Sequence, residues 1–173
     1  MKLILLMAMT ADGKIARNAN HFPDWTGRAD KRMFKRKTLE AGVVIMGART
    51  YDTIGKPLAG RLNVVMTRHP ERYRPAENLV LSCRSPGQVL DDVASRGFET
   101  VILAGGATIN AAFARRGLIN EMILTITPVI FGTGLSLFSE PIDLSMDLLN
   151  CRELEPNVIV LHYALRKDVS PSI

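Results

Sequence analysis

Asp30 is the residue of this sequence with the clearest capacity for chemistry. The apolar spacing of residues 28–40 predicts an amphipathic helix. Asp30 precedes Met33 and Phe34 by about one turn, so it shares their apolar face. A carboxylate on such a face accepts hydrogen bonds, pairs with a cation or holds a proton. Two interpretations stay open: a pocket acid that binds the amide-like edge of a heterocycle, or a first-turn acid favoured by the helix dipole.

Two glycines lie where a predicted strand meets a predicted helix, in the run Ala104-Gly105-Gly106-Ala107. Glycines at such a junction let the backbone approach a ligand and leave helix N–H groups free for a phosphate. The run matches neither the dinucleotide fingerprint GxGxxG nor the P-loop. An ordinary tight turn between strand and helix explains the two glycines equally well.

Two further strand ends carry polar or basic residues. Gly47-Ala48-Arg49-Thr50 follows the predicted strand 43–46, and Thr67-Arg68-His69 follows Leu62–Met66. Sheets of α/β proteins bind their ligands at the carboxyl ends of the strands. Arg49 and Arg68 are therefore candidates for phosphate contacts, with a solvated surface arginine as the alternative.

The residue types present disfavour several other kinds of site. The three histidines, His21, His69 and His162, lack the spacing of metal ligands, so we expect no metal. The two cysteines form no CxxC pair, which excludes a disulfide framework and a zinc ribbon and favours a reducing compartment. Aromatic residues make up only 6% of the chain and the basic residues are dispersed, so we expect no nucleic-acid partner.

The hydrophobic pattern predicts the elements that must position these residues. Short apolar strands alternate with helices, and two long β-rich stretches follow, joined by a loop-rich segment without a helix. The predicted strands are 3–9, 43–46, Leu62–Met66, 79–81, Thr100–Leu103, 122–130 and Val158–Leu165, and the predicted helices are 28–40, 86–96 and 106–116. This order predicts an α/β fold: a single domain with a mostly parallel central sheet, helices on both faces and an antiparallel C-terminal strand pair.

Length and composition agree with one domain. The chain has 173 residues, of which 47% are hydrophobic and 23% charged, enough for a core and too apolar for wholesale disorder. We expect the domain to occupy residues 1–166 and residues 167–173 to form a frayed tail. The net charge of +5 weakly favours an anionic ligand. No apolar run approaches the ~18 residues of a membrane helix, and residues 3–9 are short for a signal peptide, so we expect a cytoplasmic protein without a membrane partner.

The block from Trp25 to Arg61 resembles the dihydrofolate reductase family. Its matching residues are Trp25, Asp30, FKR at 34–36, IMG-x-RTY at 45–51 and IGKPL-x-GR at 54–61. AMTADGKIA at 8–16, AGGA at 104–107 and Thr125 fit the same family, and the resemblance extends to about residue 127. TPVIFGTG at 127–134 resembles instead the reductase domain of riboflavin biosynthesis, which shares the fold; this resemblance implies the reductase half alone, without a deaminase domain.

The resemblance implies that NADPH donates a hydride to a bicyclic pterin. Asp30 is expected to hold the edge of the pterin ring, and Arg61 to take the glutamate carboxylate of a folate as a bidentate pair. The implied catalytic residues are Asp30, Trp25 and Thr125. The implied substrate contacts are Leu6, Met7, Lys31, Phe34, Ile54, Arg61 and Ala104.

The same resemblance implies a cofactor site along the carboxyl ends of the strands. Thr67 and Arg68 are expected to bind the 2′-phosphate, which favours NADPH over NADH, and the Gly105–Gly106 peptide is expected to be cis. The implied cofactor contacts are Ala8, Ile15, Gly47, Ala48, Arg49, Thr50, Thr67, Arg68, Gly105, Gly106, Ala107, Thr108 and Ile109.

Departures from the family pattern leave the acceptor open. Ala48 stands where a basic residue often holds cofactor phosphate, and Asn110 replaces an aromatic residue. Arg28 and Lys31 add positive charge at the expected pocket mouth. The alternatives to dihydrofolate are 5-amino-6-(5-phosphoribosylamino)uracil of the riboflavin pathway, or a nucleotide-binding module without catalysis. The riboflavin-type ending also implies a homodimer through the terminal strands.

Overall fold

The computed structural model of the protein describes residues 1–166, so the predicted tail at 167–173 lies outside the described residues. The strands are β1 (Lys2–Thr10), β2 (Lys14–Ala16), β3 (Val43–Gly47), β4 (Leu62–Met66), β5 (Leu79–Ser82), β6 (Thr100–Leu103), β7 (Glu121–Thr127), β8 (Leu135–Ser136), β9 (Met146–Glu155) and β10 (Val158–Leu165). The helices are α1 (Gly27–Ala41), α2 (Ala48–Ile54), α3 (Pro86–Ser95) and α4 (Ala107–Ala114), with a 3-10 turn at Pro70–Arg72.

An eight-stranded sheet organises the domain, in the order β5-β4-β3-β6-β1-β7-β10-β9. Its first six strands run parallel, and β10 pairs antiparallel with both β7 and β9. The short strands β2 and β8 form a separate antiparallel pair. The predicted parallel sheet with an antiparallel C-terminal pair is confirmed.

The alternation of side chains along the central strands builds a core on each face of the sheet. Leu3 and Leu5 of β1 face one core, with α3 and α4 packed over it. Ile4 and Leu6 face the other core, with α1 and α2 packed over it. Helices therefore cover both faces, as predicted, and the carboxyl ends of the parallel strands are left open to bind a ligand.

Some element bounds differ from the prediction for local reasons. β7 ends at Thr127 rather than continuing to residue 130, because Pro128 has no N–H to donate to the strand ladder. β9 lies in the segment expected to be loop; most of its residues are exposed, so no apolar alternation marked it. The seven-residue helix α2 was also missed, because it is too short for a clear period.

A capping box and a proline begin the helix α3. Ser85 is the N-cap of α3, its side chain accepts from the backbone N–H of Gln88, and the Gln88 side chain accepts from the backbone N–H of Ser85. Pro86 occupies the first helical turn, where its missing N–H costs nothing. This helix packs Val89, Leu90 and Val93 into the core that also holds α4.

A polar cluster closes the end of the sheet opposite the carboxyl ends of the parallel strands. Glu121 Oε1 lies 2.6 Å from Lys2 Nζ, and its Oε2 lies 2.8 Å from His162 Nε2. Burial raises the pKa of Glu121, but the hydrogen bonds from Lys2 and His162 outweigh it, so the pKa lies below its ordinary value of 4.5. The stability that this cluster contributes is therefore present above pH 4.5 and is lost as the pH falls through the folded-state pKa.

We expect Glu121→Gln to lower the free energy of unfolding at pH 7 by about 1–3 kcal/mol, because it removes the negative charge that faces the Lys2 ammonium and the His162 ring. Urea denaturation of wild type and variant at pH 7 and below pH 4 measures this. The difference should shrink at the lower pH, where the wild-type carboxyl gains a proton. A difference independent of pH would contradict the electrostatic explanation.

Candidate active site

A cleft of about 1430 Å³ runs along the carboxyl ends of β1, β3, β4 and β6. Residues 17–25, which we call the covering loop, form one side of the cleft, and α1 forms another. Most of the residues selected from the sequence meet here. Those that line the cleft are Leu6, Met7, Ala8, Ile15, Trp25, Asp30, Lys31, Phe34, Gly47, Ala48, Arg49, Thr50, Ile54, Thr67, Arg68, Ala104, Gly106, Ala107, Thr108 and Ile109.

Asp30 lies in the first turn of α1 and faces the cleft. Burial raises the pKa of its carboxyl above the ordinary value of 3.8, and the nearby charge of Glu155 adds to the effect. The hydroxyls of Thr125 and Thr26 and the charge of Lys31 oppose it without cancelling it. The position of Asp30 on the cleft wall and its raised pKa agree with the pocket-acid interpretation, and its role stays a prediction.

Thr125 stands on β7, opposite Ala8 of β1, and is fully buried. Its hydroxyl lies near enough to the Asp30 carboxyl to lower the pKa of that group, but Thr125 itself does not line the cleft. The indole Nε1 of Trp25 is likewise buried, and within residues 1–166 neither atom has a hydrogen-bond partner. Buried polar atoms are normally paired, so the Trp25 indole, which belongs to a cleft-lining residue, is suited to donate to a ligand or a water molecule.

Arg61 does not line the cleft. It is buried, and its guanidinium donates to Ala59 O at 3.0 and 2.8 Å, to Lys35 O at 3.4 Å and to Thr38 Oγ1. These bonds tie α1 to the turn before β4. The expected contact of Arg61 with a substrate carboxylate stays a prediction.

The middle of the cleft, between β4 and β1 in the sheet order, is built by the close approach of β3 and the turn after β6. Gly47 N donates to Gly105 O at 2.8 Å, and Ala104 N donates to Ile45 O at 2.8 Å. The Gly105–Gly106 peptide is cis, as expected. Gly105 lies behind the cleft wall, whereas Gly106 and the first residues of α4 line it. The backbone is thus exposed to a ligand at the start of α4, where helix N–H groups favour an anion.

Basic side chains beyond those predicted line the end of the cleft at β4 and β5, which is opposite Asp30 in the sheet order. Arg72, Arg84 and His69 join Arg49 and Arg68 in lining it. In the part of the chain that the structure describes, none of the four arginines forms an ion pair. Sequence reasoning missed Arg72 and Arg84, because they lie in a 3-10 turn and a loop that no motif marks. Unpaired arginines at a cleft wall suit a phosphate-bearing ligand.

A segment after residue 133 supplies another cleft wall that the sequence did not indicate. Its lining residues are Gly134, Leu135, Ser136, Phe138 and Ser139. Asn110 holds it in place, since its Nδ2 donates to Leu137 O at 2.9 Å, and Ser139 N donates to Ala107 O at 3.3 Å. Asn110 is therefore a buried tie between α4 and this segment rather than a residue of the cleft surface.

Residues 1–166 bring together no group of three or more His, Cys, Asp and Glu side chains that could hold a metal ion. Among the helices of the described chain, none combines the length and the apolar character needed to span a membrane.

Known proteins share both the sequence and the fold. The family model described as dihydrofolate reductase matches residues 2–133. Dihydrofolate reductase type 3 of Salmonella typhimurium is 36% identical over 113 residues, which cover 65% of this chain and 66% of that protein. The matches to dihydrofolate reductase HdrB of Haloferax volcanii and to dihydrofolate reductase of Lactococcus lactis cover 59% and 52% of the lengths of those proteins.

Solved structures at lower identity show the same fold. The deaminase/5-amino-6-(5-phosphoribosylamino)uracil reductase of Thermotoga maritima superposes with a TM-score of 0.80 at 16% identity, covering 95% of this chain and 56% of that one. Dihydrofolate reductase from Enterococcus faecalis, complexed with NADP(H) and RAB-propyl, superposes with a TM-score of 0.70 at 19% identity, covering 96% and 97%. Since the family model spans the strands, glycine turn and acid-bearing helix that build the cleft, the chain belongs to the dihydrofolate reductase family.

Proposed function

We propose that the protein is a reductase that transfers a hydride from NADPH to a pterin, with dihydrofolate reduced to tetrahydrofolate. The observation that carries the proposal is the position of Asp30, a half-buried acid with a raised pKa at one end of a cleft whose other end is lined by unpaired arginines. An acid and a phosphate-binding surface in one cleft suit a heterocyclic acceptor beside a dinucleotide.

The residues at the basic end fit a phosphorylated dinucleotide. Bound NADPH would supply the hydride. Arg68 and Thr67 lie at the end of β4 and are suited to bind the 2′-phosphate, and the start of α4 is suited to bind the diphosphate. The Enterococcus faecalis relative forms a complex with NADP(H), which supports the same ligand here. The basic residue that family members often carry is replaced by Ala48, and Arg49, Arg72 and Arg84 supply the positive charge instead.

The residues at the acid end fit the amidine-like edge of a pterin. The Asp30 carboxylate can accept two hydrogen bonds from such an edge, and the Thr125 hydroxyl can orient one of its oxygens. This interaction raises the basicity of the ring nitrogen that must gain a proton, which a water molecule can deliver. Trp25 and the covering loop lie over this end and exclude bulk water from the reacting atoms.

A second acceptor has its own supporting observation. The Thermotoga maritima structure, whose name includes 5-amino-6-(5-phosphoribosylamino)uracil reductase, superposes at a TM-score of 0.80. Lys31 lines the cleft with its ammonium 5.6 Å from the centre of the Phe22 ring, where it could meet a phosphate. A phosphate bound by Lys31 and Arg28 would indicate the pyrimidine, whereas a carboxylate there would indicate a folate.

NADPH oxidation by the purified protein tests the proposal when dihydrofolate and the phosphoribosylaminouracil are offered in parallel. Turnover of dihydrofolate is the expected result. Turnover of the pyrimidine alone would contradict the pterin assignment. NADPH binding without turnover of either acceptor would indicate a binding module and contradict the reductase proposal.

We further propose that the protein forms a homodimer and is cytoplasmic. The edge strand β9 exposes Met146, Leu148 and Leu149, which favours a homodimer through the terminal strands. Sedimentation at micromolar concentration measures the oligomeric state directly. Cys83 and Cys151 are both exposed and unbonded, which agrees with a cytoplasmic protein.

We expect Gly47→Ala to weaken NADPH binding about tenfold. A Cβ at Gly47 would lie 2.7 Å from Cγ1 of Ile109, so α4 would have to shift away from β3 at the expected diphosphate site. Titration of NADPH into both proteins measures the change.

Gly87→Ala is the matched control for this variant. A Cβ at Gly87 meets nothing within 4 Å, and this residue lies on α3, outside the cleft. The control should bind NADPH as the wild type does and unfold at slightly higher temperature, because alanine favours a helix. Equal NADPH affinity in both variants and the wild type would exclude a role for the Gly47 contact.

A further inference from the structure

The covering loop is held by a single aromatic ring from outside the cleft. The ring of Phe131 contacts three side chains of the loop: Trp25, with ring centres 5.2 Å apart and planes at 73°; His21, at 5.5 Å and 65°; and Arg17, whose Cζ lies 4.0 Å from the ring centre. The two aromatic pairs have the edge-to-face geometry that aromatic rings favour, and Arg17 forms a cation–π contact. The ring therefore contacts the loop at both ends and near its middle.

Phe131 is itself fixed to the body of the domain. Its backbone N–H donates to Asp12 Oδ1 at 3.2 Å, and that of Gly132 donates to Asp12 Oδ2 at 2.7 Å. Ala11 N donates to Val129 O at 2.9 Å in the same region. Asp12 accepts hydrogen bonds from the Thr10 hydroxyl and from the two backbone N–H groups. These bonds hold the pKa of Asp12 below its ordinary value, so this anchor stays charged at neutral pH.

Hydrogen bonds within the covering loop shape it locally. Among residues 1–166 they join Arg17 N to His21 Nδ1 at 3.1 Å, Asn20 N to Asn18 Oδ1 at 3.0 Å, His21 N to Asn18 O at 3.2 Å and Asp24 N to Phe22 O at 2.9 Å. Such bonds shape the loop without fixing it over the cleft. The Lys31 ammonium of α1 approaches the Phe22 ring at 5.6 Å, whereas the Phe131 ring joins three side chains of the loop to an anchored part of the chain.

We propose that Phe131 is a positioning residue, which keeps Trp25 and the covering loop closed over the cleft although it does not line the cleft itself. The inference rests on the proposed function, because closure matters only if the cleft holds reacting ligands. Without the ring the closed form of the loop becomes a smaller fraction of the molecules. The apparent affinity of ligands under the loop then falls by that fraction, while the residues that act on the bound ligands are unchanged.

Trp25 is the only tryptophan of the chain, so its fluorescence reports on this contact directly. We expect Phe131→Ala to shift the emission to longer wavelength and to increase quenching by acrylamide, at a temperature where far-ultraviolet circular dichroism shows the fold intact. The KM for NADPH should rise about tenfold while kcat changes little. Phe131→Tyr keeps the ring and should restore both properties.

Ile130→Ala is the matched control, because Ile130 neighbours Phe131 in the chain but is 71% exposed and lies outside the cleft. It should leave the emission, the quenching and KM at wild-type values. If Phe131→Ala does not fold, Phe131→Leu keeps the apolar volume without the ring and is expected to show the same changes. If Phe131→Ala or Phe131→Leu is folded and keeps the wild-type emission and quenching, the inference is wrong. If the wild-type protein turns over neither acceptor, only the proposed function is wrong, because the fluorescence measurement needs no acceptor.

Discussion

Asp30→Asn lowers the turnover of dihydrofolate by about 10²- to 10⁴-fold, the range in which a positioned acid or base contributes to catalysis. The amide keeps the size of the side chain but loses the negative charge that we propose to pair with the pterin edge. The affinity for NADPH should change little, because Asp30 lies at the opposite end of the cleft from the unpaired arginines. Steady-state turnover and NADPH titration measure the two effects separately.

Asp91→Asn is the matched control for this substitution. Asp91 is an exposed residue of α3, and it does not line the cleft. Its replacement makes the same chemical change and should leave turnover at the wild-type value. Full turnover by Asp30→Asn, or loss of its fold, would remove Asp30 from the proposed role.

The raised pKa of Asp30 fixes the direction in which Asp30→Asn changes the free energy of unfolding. A carboxyl whose folded-state pKa lies above its ordinary value of 3.8 costs stability when it is ionised. The cost is absent below pH 3.8 and fully present above the folded-state pKa. The asparagine variant should therefore be at least as stable as the wild type at pH 7, with any advantage lost below about pH 4. Urea denaturation at both pH values checks the direction.

Arg68→Gln raises the KM for NADPH by about 10- to 100-fold and leaves the KM for NADH nearly unchanged. The range corresponds to the loss of one hydrogen bond to a charged group. NADH lacks the 2′-phosphate that we propose Arg68 to bind, so the substitution removes nothing from its site. Initial rates with each cofactor, at fixed acceptor and fixed ionic strength, give both values.

Arg74→Gln controls for the loss of one positive charge. Arg74 is exposed, lies near the same loop and does not line the cleft. It should leave the KM for both cofactors unchanged apart from a small effect that salt abolishes. An equal rise in both KM values for Arg68→Gln would show that Arg68 does not recognise the 2′-phosphate.

The sequence predicts the central part of the fold well because its strands are buried on both faces. Residues 43–46 are fully buried, and such a run of apolar residues is a strong strand signal. The edge of the sheet is harder to predict, because β9 pairs on one side and exposes most of its side chains. Its place depends on backbone pairing with β10, which leaves no apolar alternation in the sequence.

Some residues of the cleft can likewise be predicted from the sequence, and others cannot. Residues such as Asp30 and Gly47 lie in local motifs whose spacing can be recognised, and the structure places both on the cleft wall. Arg84 and Phe138 reach the cleft only because the chain folds back, and nothing near them in the sequence marks that approach. The contact between Phe131 and Trp25 joins residues more than a hundred positions apart, so it too emerges only in three dimensions.

Transfer of deuterium from NADPH in which both hydrogens on carbon 4 of the nicotinamide are replaced by deuterium tests the central claim most directly. The purified protein is incubated with the labelled cofactor and dihydrofolate, and the pterin product is examined by mass spectrometry. We expect tetrahydrofolate that carries one deuterium from the cofactor, formed about 10²- to 10⁴-fold more slowly in the same incubation with Asp30→Asn. Cofactor oxidation that leaves the pterin unlabelled, or no reaction of the wild-type protein, would contradict hydride transfer in this cleft.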